Sequence, residues 1–218
     1  MAIVSKKERK PDDSSEPLEQ KCPMCGKVIG KTKDKTRVEM LCGNAKCGRM
    51  LQWRNWTEEQ RITEATYRGV GEYYIRDGKL PRLIEYPHDV LVQAAYKHKN
   101  LLICGEPASG KTQALCALMV EALEDGKTAA FDTQRGMNLL ERNCHDHNSD
   151  QSSSNYIRSL VIADVLCIDD YLNQRWSEWM DVVLGNRLHR DKVTHIATPH
   201  ANDINNSRFH TVYLPDPK

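Results

Sequence analysis

The chain has 218 residues, 39% hydrophobic and 28% charged, with a formal net charge of +1. That composition excludes a low-complexity or collagen-like chain and leaves room for one medium core plus a small second module. The longest nearly apolar stretch, residues 114–123, is broken by Glu121 and falls short of the roughly 20 residues of a membrane span, so no membrane partner is expected.

The first segment, residues 1–20, reads as a disordered polar tail, since it has too few apolar residues to bury. It lacks the apolar run of a secretory signal, and a cytoplasmic location is expected. Residues 21–56 form the next unit. Four of the eight cysteines fall here in two pairs, Cys22 and Cys25 in KCPMCG and Cys42 and Cys47 in LCGNAKCG. Each pair is trailed by a glycine, Gly26 or Gly48, where backbone N–H groups can reach the sulfurs. In a reducing compartment this spacing points to one structural Zn²⁺ held by four thiolates, with no open coordination position for catalysis. KVIGKT and TRVEML read as a hairpin that joins the knuckles, and RMLQW as a third short strand. The unit is basic: Lys21, Lys27, Lys31, Lys33, Lys35, Arg37, Lys46, Arg49 and Arg54 face only Asp34 and Glu39. With Trp53 and Trp56 nearby, such a surface can follow a phosphate backbone and stack on bases, or can simply be a solvated face.

Residues 57–85 read as a linker with a short helix, opened by a capping box at Thr57 and Gln60, followed by the turn-rich RGVGEYYIRDGKLP. PHDVLVQAAYKHK then predicts a helix, and LLIC at residues 101–104 a strand.

That strand runs into GEPASGKT, the segment Gly105, Glu106, Pro107, Ala108, Ser109, Gly110, Lys111 and Thr112. Two glycines five positions apart, then lysine and a hydroxyl, form a phosphate-binding loop. Backbone N–H groups wrap a polyphosphate, Lys111 meets the β- and γ-phosphates, and the Thr112 hydroxyl ligates Mg²⁺. Ala114, Leu115, Leu118, Met119, Ala122 and Leu123 recur downstream at helical spacing, which supplies the helix that this motif requires. ATP with Mg²⁺ is the ligand expected.

Strands and helices then alternate as a parallel sheet demands. KTAAFDT predicts a strand, GMNLLERNC a short helix, CHDHNSDQSSSN an exposed loop that contains Cys144, and ADVLCIDDY a buried strand ending in two aspartates. Asp169 at that strand end can hold the Mg²⁺ through water, and Asp170 can polarise the attacking water as general base. WSEWMDVVLGNRLHRDK puts Trp176, Trp179, Met180, Val183, Leu184 and Leu188 on one helical face, and VTHIAT reads as another strand. Thr198, His200 or Asn202, at its end and just beyond it, are candidates to sense a γ-phosphate. Cys104, Cys116 and Cys167 read as buried small hydrophobes.

Taken together, GEPASGKT, ADVLCIDDY and VVLGNRLHRDKVTHIAT resemble the AAA+ ATPases of the DnaC/IstB type, replicative helicase loaders and transposition ATPases, over about residues 86–212. The resemblance implies an α/β fold: a P-loop NTPase (AAA+) three-layer core with a central parallel sheet over residues 86–218, preceded here by a small four-cysteine zinc ribbon. It implies an ATPase that forms ATP-dependent homo-oligomers and acts in DNA replication on single-stranded DNA and a replicative DNA helicase. A transposition regulator that answers to a transposase, or an adaptor that binds nucleotide without hydrolysis, are the alternatives. A small-molecule kinase fits less well, because CHDHNSDQSSSN has no arginine for a lid. Two departures stand out. Ala108 occupies a position where this family usually has glycine, and about twenty residues follow the sensor strand, too few for a full helical lid. A catalytic arginine is then expected from a neighbouring subunit. Ser207-Arg208-Phe209 resembles the segment that supplies it, so Arg208 is the candidate, with Arg187 and Arg190 as competitors that equally suit a solvated helix end.

Overall fold

The computed structural model describes residues 18–22, 24–32, 42–133, 150–171, 178–200, 204 and 207–216. The chain divides into two compact units, residues 1–48 and 49–218.

In the first unit, strand β1 (Leu18–Lys21) pairs antiparallel with β2 (Val28–Thr32), and the register slips between Gln20 and Lys21. The strand thus begins inside the segment read as a tail. Between β1 and β2 the chain turns back on itself: Gly26 N–H donates to the Cys22 carbonyl at 2.8 Å and Cys22 N–H to the Lys27 carbonyl at 2.9 Å. Gly26 takes φ 71°, which only glycine adopts without strain. The hairpin partner of KVIGK is therefore β1; TRVEML lies outside the described residues.

RMLQW is not a strand but part of helix α1 (Ala45–Asn55). Asn44 starts this helix by accepting from Lys46 N–H at 2.9 Å, and Met, Leu, Gln and Arg propagate it. A short apolar run cannot distinguish helix from strand by itself, and here the asparagine cap decides.

In the second unit, α2 (Glu58–Tyr67) opens on the predicted box, with Thr57 N–H donating to Gln60 Oε1 at 2.9 Å and Gln60 N–H to Thr57 Oγ1 at 3.3 Å. The stretch that follows is no free linker. Val70, Leu80, Leu83 and Tyr86 are buried in the same cluster as the sheet, beside Trp53. Trp53 is 5% exposed and packs at 6.0 Å from Trp56, so its ring is core and not a base-stacking platform. Helix α3 (Asp89–Lys97) leads to β3 (Leu101–Cys104), then α4 (Lys111–Glu124), β4 (Ala129–Thr133), α5 (Asp150–Ile162), β5 (Val165–Asp169), α6 (Glu178–His189), β6 (Val193–Thr198) and β7 (His210–Tyr213).

Strands β3 to β7 form one parallel sheet in the order β4-β5-β6-β3-β7. Successive residues alternate between its faces. Leu101 and Ile103 join Val165 and Cys167 against α3 and α4, whereas Leu102, Cys104, Leu166 and Ile168 pack with Leu160 and Val161 of α5 and Met180, Val183 and Leu184 of α6. These are the three layers. Cys104, Cys116 and Cys167 are buried, as their apolar context required.

The end of the serine-rich stretch, read as a loop, forms the first turns of α5. Ile157, Leu160 and Val161 bury one face further along, and tertiary packing overrides the weak helix preference of the serines before them. Strand β7 carried too short an apolar pattern to be seen in the sequence. The helix expected at GMNLLERNC, Cys144 and its loop, Trp176, and the side chain of Trp179 lie outside what is described.

Candidate nucleotide-binding site

Strand β3 is fully buried, and its last carbonyl accepts from Leu214 N–H at 2.8 Å, so the chain leaves the sheet from a fixed point. The loop that follows holds its shape through close approaches that leave no room for side chains. A Cβ on Gly105 would stand 2.6 Å from the Ser109 hydroxyl oxygen, and one on Gly110 would stand 2.8 Å from the Tyr86 hydroxyl oxygen. Tyr86 donates that hydroxyl to the Gly110 carbonyl at 3.0 Å. Gly110, at φ 94°, begins α4, whose N-terminal N–H groups and dipole favour an anion. Ala108 adopts φ 64°, left-handed backbone that its Cβ opposes; this is the physical reason for a glycine preference at that position.

Lys111 folds back over the loop, with Nζ donating to the Gly105 carbonyl at 2.7 Å and the Glu106 carbonyl at 2.8 Å. Burial lowers the pKa of this ammonium, opposed by the charges of Asp169, Glu106 and Asp170. Glu106, Pro107 and Ala108 are exposed; Ser109 is buried.

Asp169 ends β5, opposite Thr133 of β4. Burial raises its carboxyl pKa, and the hydrogen bond from Thr112 works against that rise. Asp169 thus lies toward Thr112 although β6 stands between β5 and the strand that feeds the loop. Asp170 is exposed and takes φ 54°, a conformation that non-glycine residues hold only where the surroundings enforce it. Tyr171, next along, is anchored through its N–H to the Ala197 carbonyl at 3.0 Å. On β6, Thr198 stands beside Cys104 in register and is fully buried, and its hydroxyl accepts from His200 N–H at 3.2 Å. His200 is exposed, and Asn202 is outside the described residues. The ends of β3, β5 and β6 therefore bring Lys111, Thr112, Asp169, Asp170 and Thr198 to one edge of the sheet.

The three arginines separate clearly. Arg187 is 0% exposed, and its guanidinium donates to Thr194 Oγ1 at 3.0 Å, to the Ala163 carbonyl at 2.8 Å, and to the Leu160 and Val193 carbonyls. It ties the C-terminal end of α5 to β6 and is neither a solvated cation nor a group presented to a neighbour. Burial brings its pKa down to about 10. Arg190 is exposed at the end of α6. Arg208 is also exposed, and its backbone carbonyl accepts from Asn100 Nδ2 at 3.2 Å, while its side chain reaches the Leu188 carbonyl. Asn100 precedes β3, so Arg208 sits at the sheet edge opposite the phosphate loop of its own chain.

One residue here gave no sequence signal, Tyr86. It comes from the segment between α2 and α3, and only the packing of that segment beside α4 brings it to Gly110.

In the first unit, the ligand sulfurs of Cys22, Cys25, Cys42 and Cys47 all lie within 4.8 Å of one another. The Cys25–Cys42 and Cys42–Cys47 sulfur distances are both 3.7 Å. Tetrahedral thiolates at a Zn–S distance of about 2.3 Å stand ~3.8 Å apart, so the donor set fits zinc. The x4 spacing of the second pair follows from the local structure: Cys42 precedes a turn at Gly43 (φ 74°), and Cys47 sits in the first turns of α1. The turn glycine is thus Gly43; Gly48 is helical. Although burial opposes ionisation, backbone N–H groups of Cys42, Met24 and Cys25 hold the Cys22 thiol down to about 6. Burial and then the neighbouring sulfurs push Cys47 up to about 12, the repulsion that a cation at the centre would relieve.

A five-stranded parallel sheet, a glycine-rich loop between a buried strand and a helix, and a carboxylate at the end of the next strand but one define a P-loop nucleotide-binding fold of α/β class. No family profile matches the chain, and no curated protein does. Among solved structures, the chain is similar to a DnaC helicase loader at 19% identity (60% of this chain, 81% of that one, TM-score 0.47) and to DnaI at 12% (67% and 92%, TM-score 0.48). It is also similar to AMPPCP-bound DnaA from Aquifex aeolicus, at 16% identity over 61% of this chain with TM-score 0.49; the chain spans 49% of that structure's length. Among the described residues no helix is long and apolar enough to cross a membrane.

Proposed function

We propose that this protein is an ATP-hydrolysing helicase loader of DNA replication, in which residues 49–218 bind and cleave ATP and the cysteine module carries a structural zinc. The observation that carries the nucleotide reading is the loop Gly105–Thr112 between a buried strand and α4, with Lys111 Nζ bonded to the Gly105 and Glu106 carbonyls and Asp169 ending a strand of the same sheet.

In this reading the β- and γ-phosphates lie on the loop N–H groups, and Lys111 exchanges its bonds to the Gly105 and Glu106 carbonyls for bonds to phosphate oxygens. Thr112 and Asp169 hold the Mg²⁺, which neutralises developing charge when bound. Exposed Asp170 orients and deprotonates the attacking water, and Thr198, at the end of β6, is the candidate to sense a γ-phosphate. Arg208, on the opposite sheet edge, serves the site of a neighbouring subunit, so hydrolysis requires a homo-oligomer. The partners, single-stranded DNA and a replicative helicase, follow from the sequence resemblance, as does the alternative of a transposase.

The test is phosphate release with and without single-stranded DNA, paired with retention of a replicative helicase or a transposase on the immobilised chain. Stimulation by DNA and retention of the helicase alone support the loader. Silence in both buffers supports a non-hydrolysing adaptor, and retention of the transposase alone supports a transposition regulator.

A further inference from the structure

A cavity of about 380 Å³ lies beside the C-terminal ends of α3 and α4, away from the phosphate loop, none of whose residues lines it. Ala122, on its wall, is about three helical turns along α4 from Lys111. Val165 and Val193, which open β5 and β6, give it apolar walls together with Leu118 and Ala122 of α4. His195 of β6 lines it as well, on the same face of the sheet as Val193 two residues before. The His195 ring is only 6% exposed, and its Nδ1 is buried without a hydrogen-bond partner. Such a group costs free energy until something in the cavity bonds it.

The charges around the opening are already matched. Lys127 Nζ meets Asp125 Oδ2 at 2.9 Å, Tyr96 donates its hydroxyl to Glu121 Oε1 at 3.3 Å, and Lys99 pairs with Asp191. Lys97, which has no such partner, is exposed to water. No lining carboxylate is left over to hold a cation, and the apolar walls oppose a charged guest. Burial, and then the charges of Arg187 and Lys127, bring the His195 pKa down to about 3, so the ring is uncharged near neutral pH. A neutral imidazole has one donor and one acceptor nitrogen. A hydroxyl both donates and accepts, so it satisfies Nδ1 in either tautomer. The valine, leucine and alanine walls suit a flat apolar body, and the volume is at the small end of ligand cavities.

We propose that this cavity binds a small uncharged aromatic alcohol, whose hydroxyl bonds the His195 ring and whose body packs on Val165, Val193, Leu118 and Ala122. Phenol and toluene, alike except for the hydroxyl, are titrated by calorimetry into the wild-type chain and His195→Leu. Phenol should bind the wild type saturably. His195→Leu keeps an apolar side chain but removes the hydrogen bond, so phenol affinity should fall at least about fivefold relative to toluene affinity. A second readout uses the wild type alone and stands even if the variant does not fold. In nitrogen-15 NMR the His195 ring nitrogens should shift further with phenol than with toluene. Phenol that fails to saturate the wild type, equal losses of phenol and toluene in His195→Leu, or ring nitrogens that respond no more to phenol than to toluene would each overturn the inference. None of these readouts involves ATP, so the cavity is tested apart from the nucleotide site.

Discussion

Replacing Arg187 with leucine removes a fully buried guanidinium that satisfies carbonyls at the end of α5 and at the start of β6, together with the Thr194 hydroxyl. The last carbonyls of a helix have no partner within it, and here Arg187 supplies the donor that the Leu160 and Ala163 carbonyls need. Leucine restores apolar volume but leaves several buried acceptors bare. Breaking a buried charged network of this kind costs about 3–5 kcal/mol. For a chain of this size each kcal/mol moves the melting point by about 2–4 °C, so Tm should fall by roughly 6–20 °C. The assay is thermal unfolding followed by circular dichroism, with Arg208→Ala as the exposed control. Arg208→Ala should shift Tm by less than about 2 °C, as surface changes do. Should Arg187→Leu melt within about 2 °C of wild type, the guanidinium is not the tie between α5 and β6, and Arg187 returns as a competitor for the neighbour's site.

Ala108→Gly relieves left-handed strain of about 1–2 kcal/mol, partly offset by about 0.5–1 kcal/mol of glycine chain entropy. Its methyl is exposed, so no packing is lost, and the net gain of up to about 1.5 kcal/mol should raise Tm by up to about 6 °C; a lower Tm in the same melt would refute the strain argument. Metal analysis of protein purified without chelator should give one zinc per chain, and Cys47→Ser should weaken zinc retention in a competition assay by at least about 100-fold, because a fourth thiolate is lost. Undiminished retention would show that Cys47 is not a ligand. Against the cost of its partial burial, Lys192 at 2.8 Å and Thr128 hold Asp164 down to about 2 from an ordinary 3.8. A depressed carboxyl contributes stability above pH ~4 that is lost as pH falls toward ~2, so Asp164→Asn should flatten the acid limb of a urea-stability profile in that window. An unchanged acid limb would contradict it.

What the sequence revealed was local. GEPASGKT, the strand before it, the capping box at Thr57 and the buried strand ending at Asp169 each depend on residues within a few positions of one another, and all four stand where the spacing put them. The features missed depend on packing between distant segments. Cys47 looked like half of a second knuckle, because a cysteine pair does not reveal that one ligand is carried by a helix. Residues 70–86 looked like a linker, because turn-forming residues conceal the burial of Val70, Leu80 and Leu83 and the reach of Tyr86. Arg187 looked like a helix-end cation, because nothing near it in sequence announces the carbonyls of α5. Ala108 is the intermediate case. Its departure from glycine was visible in the motif, and the φ of 64° supplies what it costs.

The most direct test of the central claim is a calorimetric titration of ATP with Mg²⁺ into the wild-type chain and into Lys111→Ala. The nucleotide site predicts saturable one-site binding to the wild type and at least about tenfold weaker binding to the variant, the loss of one charge-assisted phosphate contact. Equal affinity for both chains would contradict the assignment of Gly105–Thr112 as the phosphate-binding loop.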